Sequence, residues 1–160
     1  MNSHRTLFTA AAVAGAFVLG CMAPAYAADT HRHAADEPGK LKLDTGKKWA
    51  TDKPLRRHMA EIHAAIATKY VRIRKETLAA GDYMALGRLI EARVASIVSE
   101  CKLEPAADTN LHLIVAELIS GADAMQGKSR TTPTAGAAQT MRAVNNYGRY
   151  FSHAGWKPLG

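Results

Sequence analysis

The sequence predicts an all-α protein: an antiparallel up-down-up-down four-helix bundle, preceded by a signal peptide and a flexible leader. Four successive stretches place apolar residues at spacings of three and four, the period of a helix with one buried face. Aromatic residues make up only 6% of the chain and alanine is abundant, which favours helix over sheet. No stretch alternates apolar and polar residues as a half-buried strand would. A length of 160 residues gives room for one ordinary domain, and a composition 48% hydrophobic and 22% charged excludes a disordered or collagen-like chain.

The amino terminus reads as an export signal. Residues 1–5 form a short n-region with one side-chain charge, and residues 7–19 are an uncharged run too short to span a bilayer. Pro24 breaks that helix, and Ala25-Tyr26-Ala27 offers small residues at both positions a signal peptidase reads, so cleavage is expected before Ala28. Val18-Leu19-Gly20-Cys21 is a competing lipobox-like run in which Cys21 would carry a lipid, but leucine before the glycine is an uncommon choice there. The expected organisation is a signal peptide over 1–27, a leader over 28–50 and the bundle over 51–160, with a periplasmic destination. No second apolar run reaches spanning length, so no stable membrane insertion is expected after cleavage. The leader holds His31 and His33 but lacks any sustained period.

Thr51-Asp52-Lys53-Pro54 is a helix start, with a capping side chain and a proline in the first turn, and Trp49 is placed to fold back as a staple. Leu55, Met59, Ile62, Ile66, Tyr70 and Ile73 form the first apolar stripe, Gly81 is read as its end and Asp82 as the cap of the next helix. Tyr83, Leu86, Ile90, Val94, Ile97 and Cys101 form the second stripe. After Pro105 and Asp108, a third carries Leu111, Val115, Leu118, Ala122 and Met125. Residues 127–133 are a loop, and the fourth helix carries Ala137, Met141, Val144, Gly148 and Phe151, ending near Ser152.

In that topology the start of the first helix, the end of the second, the start of the third and the end of the fourth share one end of the bundle. Met59, His63, Cys101, His112, Tyr150 and His153 all fall there. Thioether, imidazole and thiolate are soft to borderline donors suited to copper, zinc or non-covalent haem, so Met59, His63, Cys101 and His112 are candidate ligands, with His153 a further one. At about 100° per residue, Met59 lies roughly 20° and His63 roughly 60° from the centre of their stripe. His58 and His112 are flank positions. Once the signal is removed, Cys101 is the single thiol, and 20 Lys and Arg stand against 14 Asp and Glu, a net +6.

Other chemistries find no support. Gly-x-Ser-x-Gly, a phosphate-cradling glycine loop and His-Glu-x-x-His are all absent from the sequence, and no oxyanion hole accompanies Cys101 and His112, so no enzyme is expected. The absence of Cys-x-x-Cys-His excludes covalent haem. The clusters Lys47-Lys48, Arg56-Arg57 and Arg72-Ile73-Arg74-Lys75 read as solvated helix faces. Nucleic acid is not an expected partner outside the cytoplasm, whereas the basic charge leaves acidic proteins or anionic lipid surfaces open as partners. The alternative function is an interaction or stress-related protein without a cofactor, acting through that basic surface, with Cys101 as core.

Leu55-Arg56-Arg57-His58-Met59-Ala60-Glu61-Ile62 resembles the opening of cytochrome b562 proteins. The resemblance implies a periplasmic four-helix bundle with haem held by a methionine near the start of the first helix and a histidine near the end of the fourth, here Met59 and His153. His153 follows the stripe residue Phe151 by two, a departure from a core-facing ligand. A fuller likeness is to small exported proteobacterial proteins of the DnrO type. It rests on Lys48-Trp49-Ala50-Thr51-Asp52-Lys53-Pro54-Leu55-Arg56, on Cys101-Lys102-Leu103-Glu104-Pro105-Ala106-Ala107-Asp108 with Leu111-His112, and on Asn146-Tyr147-Gly148-Arg149-Tyr150-Phe151 with Gly155-Trp156. This likeness covers most of the mature chain and implies no defined activity.

Overall fold

Residues 39–160 are described by a computed structural model. The expected signal peptide, Cys21, His31 and His33 lie outside the described residues. Five helices follow one another: α1 (Lys53–Ala67), α2 (Tyr70–Arg74), α3 (Ala80–Glu100), α4 (Pro105–Met125) and α5 (Pro133–Tyr150). Among the described residues there are no strands, only isolated bridges, so the all-α expectation holds.

The first predicted helix is two helices. Asp52 caps α1 as expected, its Oδ1 accepting from the Leu55 amide at 2.8 Å. At the other end Lys69 N–H turns to the Ile66 carbonyl (3.0 Å), three residues back, and the Thr68 hydroxyl donates to the Ala65 carbonyl (2.9 Å). These bonds tighten the last turn and stop the helix. α2 continues the stripe only through Ile73, and the chain leaves it at Glu76 with φ +55. Gly81 ends nothing: it lies in the first turn of α3, whose N-cap is Ala79, without a side-chain hydrogen bond. Asp82 sits in that first turn as well, where a carboxylate meets the positive end of the helix dipole. It pairs there with Lys69 and Arg72, which hold its pKa below the ordinary value.

α3 packs on α1, α4 on α3 and α5 on α4, the last pair most extensively. Gly121 and Gly136 make that approach possible. A Cβ on Gly121 would lie 2.7 Å from the Gly136 carbonyl oxygen, and one on Gly136 would lie 2.6 Å from Ala124 Cβ. Leu55, Met59, Ile62 and Ile66 of α1 meet Leu86, Ile90 and Ile97 of α3, Ile114 and Leu118 of α4, and Val144 and Tyr147 of α5 in one apolar core.

Both flanking segments are tied to the helices. The leader, expected to be flexible through residue 50, is held from Lys42 onward: Lys42 N–H donates to Asn110 Oδ1 (2.9 Å), and Asp44 and Lys47 exchange backbone bonds of 2.8 and 2.7 Å. Trp49 packs, partly buried, against the apolar core. It forms a parallel bridge to Phe151, donating its amide to the Tyr150 carbonyl and accepting from Ser152, both at 2.8 Å. That bridge draws Phe151 into an extended conformation and stops α5 at Tyr150, short of the expected end near Ser152. Beyond it, His63 on α1 donates Nε2–H to the Lys157 carbonyl (2.9 Å), and the Asn145 side chain on α5 exchanges two bonds with Leu159 (2.9 and 2.8 Å). Trp156 lies directly against Gly148, where any side chain would collide with the indole.

Candidate functional site

Cys101 is the C-cap of α3. Its amide still bonds the Ile97 carbonyl (3.0 Å), while its own backbone has turned extended toward α4. The half-buried thiol therefore lines a cleft of about 410 Å³ at the joint of α3 and α4. Ile97, Val98, Leu103, Leu111 and Val115 supply apolar walls, with Lys102, Asp108 and His112 as the polar members. His112 projects from the second turn of α4, and its Nδ1 lies 2.9 Å from the Asp108 carbonyl. A carbonyl only accepts, so Nδ1 carries the hydrogen and the lone pair of the neutral ring is on Nε2. Burial pushes the Cys101 thiol up to about 12, with the Asp52 carboxylate and then Glu100 and Asp108 adding to the effect. Asp52 also accepts from the Lys102 amide at 2.7 Å, so one carboxylate joins the start of α1 to the α3–α4 joint.

The expected five-residue cluster is divided among three settings. Cys101 and His112 share the cleft just described. His63 and His153 share a second, of about 230 Å³, with Trp156, whose ring centroid is 4.8 Å from His63 and 4.9 Å from His153. Met59 is fully buried in the apolar core. Among the described residues, no group of three or more His, Cys, Asp or Glu side chains could hold a metal ion. The carboxyl-terminal segment is the cause: it occupies the flank of α1 that carries His63, whereas Cys101 and His112 face the groove between α3 and α4.

Two groups escaped the sequence reading. Tyr147, fully buried, holds its hydroxyl 3.0 Å from His153 Nδ1. Burial, then Arg56 and His63, keep the His153 pKa below the ordinary histidine value. His58 is 3% exposed, not a solvated flank, because charged partners enclose it: its Nε2 accepts from Arg57 (3.0 Å), and Arg57 reaches Glu100 on α3 (2.6 Å). The signal available in the sequence was the run of opposite charges at Arg57, Glu61, Arg93 and Glu100 on the facing flanks of α1 and α3; Arg93 pairs with Glu61 at 2.7 Å.

No known protein family, curated protein or solved structure matches this chain.

Proposed function

We propose that this chain is an exported, non-enzymatic helical protein that holds a copper(I)-class ion between Cys101 Sγ and His112 Nε2. In this reading α1 and α2 together form one arm of an up-down-up-down four-helix bundle, and the signal-like residues 1–27 deliver it to the periplasm. The observation that carries it is that a thiol and an imidazole with an unengaged Nε2 line one cleft. The Nδ1–H bond to the Asp108 carbonyl orients the ring as outer partners orient metal-binding histidines. Thiolate and imidazole select soft and borderline ions, and two protein donors alone suit copper(I) better than zinc, which takes four.

The local field supports a cation. Asp52, Glu100 and Asp108 disfavour a bare thiolate, but a bound ion brings positive charge and turns the same carboxylates into favourable neighbours. Binding forms the sulfur–metal bond as the thiol loses its proton to solvent, with no change in oxidation state. Because the thiol is protonated throughout the neutral range, apparent affinity is expected to rise about tenfold per pH unit. Met59 lines neither histidine-bearing cleft, so an ion on Cys101 and His112 is better supported than haem on Met59 and His153.

Anaerobic titration of residues 28–160 with copper(I) against a colorimetric chelator tests the reading. One equivalent should bind, with Cys101→Ala weakening it by about a hundredfold and His112→Ala by at least tenfold. Circular dichroism confirms that the variants remain helical. Binding by Cys101→Ala at the affinity of the unaltered chain refutes the site.

A further inference from the structure

A cleft of about 400 Å³ opens between α2 and α5, on residues that the copper reading does not use. The break at Thr68 and Lys69 creates it by setting α2 off from α1 and turning its side chains toward the flank of α5. Tyr70, Ile73, Met141 and Leu159 give the cleft an apolar lining, and Arg74 from α2 and Arg142 from α5 bring two guanidinium groups to it. Neither arginine has an ion pair or hydrogen-bonding side-chain partner among the described residues, whereas Arg57, Arg72 and Arg93 are each paired with a carboxylate.

Two cations brought by separate helices to one depression repel each other, and with Glu76 the one carboxylate on its lining the cleft keeps an excess positive charge. Guanidinium forks match the planar geometry of an oxyanion, and the apolar lining suits a hydrocarbon body. Glu76 lies on the same cleft and repels a doubly charged headgroup more than a singly charged one. The Asn145 amide, also on the cleft, is already engaged with Leu159, so recognition of the headgroup falls to the arginines. We propose that the cleft between α2 and α5 binds a monoanionic amphiphile, an alkyl carboxylate whose headgroup bridges Arg74 and Arg142 and whose chain covers Tyr70, Met141 and Leu159. The volume lies within the range of pockets that bury small organic ligands.

Calorimetric titration with decanoate, below its micellar range, is the test, with decanol, decyl phosphate and inorganic phosphate as comparison probes. Decanoate should bind at one site, and Arg74→Ala and Arg142→Ala should each weaken it at least tenfold. Glu76→Gln should tighten decanoate and raise the relative affinity of decyl phosphate. Decanol binding as tightly as decanoate, or inorganic phosphate binding as tightly as decyl phosphate, overturns the proposal. So does a double Arg74→Ala, Arg142→Ala variant that keeps its affinity. All three altered residues are exposed, and far-UV circular dichroism verifies their fold. The copper titration is a separate isotherm at a separate cleft, so either reading can fail alone.

Discussion

Asp52 illustrates how much one side chain does in this molecule. One carboxylate oxygen caps α1 and the other accepts from Lys102, while its charge helps hold the Cys101 thiol in the protonated form. Asp52→Asn keeps an acceptor oxygen and removes the charge. The thiol pKa should fall below its present value of about 12 without reaching an ordinary thiol's, since burial remains the largest cause. Alkylation of Cys101 by iodoacetamide across pH 8–10 measures this; an unchanged rate profile would show that the Asp52 charge is not felt at the sulfur. At this scale Cys101 and His112 were legible together because only a short connection separates their helices. His63 was not separable from them by sequence, since Trp156 and Lys157, which engage it, come from an aperiodic segment that no helical wheel describes, and Met59 lies in the core beneath.

Among the elements, the α4–α5 crossing is the most demanding of shape. Gly121→Ala inserts a methyl group where the Gly136 carbonyl and Thr140 already lie within 2.7 Å. Overpacking of this kind costs about 1–3 kcal/mol, more than the roughly 1 kcal/mol that alanine gains over glycine in helix propensity. A lower thermal midpoint is therefore expected for Gly121→Ala and for Gly136→Ala, whereas Gly81→Ala, which would meet open space, should be neutral or stabilising. Equal midpoints for all three would refute the close crossing. Periodicity located α3, α4 and α5 well, because each holds a continuous apolar stripe and prolines mark the starts of α4 and α5. It merged α1 with α2 because Tyr70 and Ile73 keep the period across a break made by backbone and hydroxyl bonds at Thr68 and Lys69.

For the whole molecule, acid sensitivity follows from His153. Its pKa is depressed by burial, Arg56 and His63, so below the ordinary value of 6.5 the unfolded chain binds the proton more readily than the folded one. The stability this neutral histidine supports is full above pH 6.5 and is lost as pH falls through the folded-state value. The thermal midpoint should drop between pH 7 and 5.5, and His153→Gln should flatten that slope. Asp82 and Glu91, whose pKa values are also lowered, act below their ordinary 3.8 and 4.5 and so outside this window. An identical slope in the variant would remove His153 from the account.

The bridge from Trp49 to Phe151, with the Asn145 and His63 bonds to the last residues, also sets an order of events during synthesis. Lys42 finds its partner once α4 has been made, but Trp49 acquires its bridge only after α5 has followed. A ribosome-bound chain that has not yet released residues 150–152 therefore lacks the clasp between Trp49 and the end of α5.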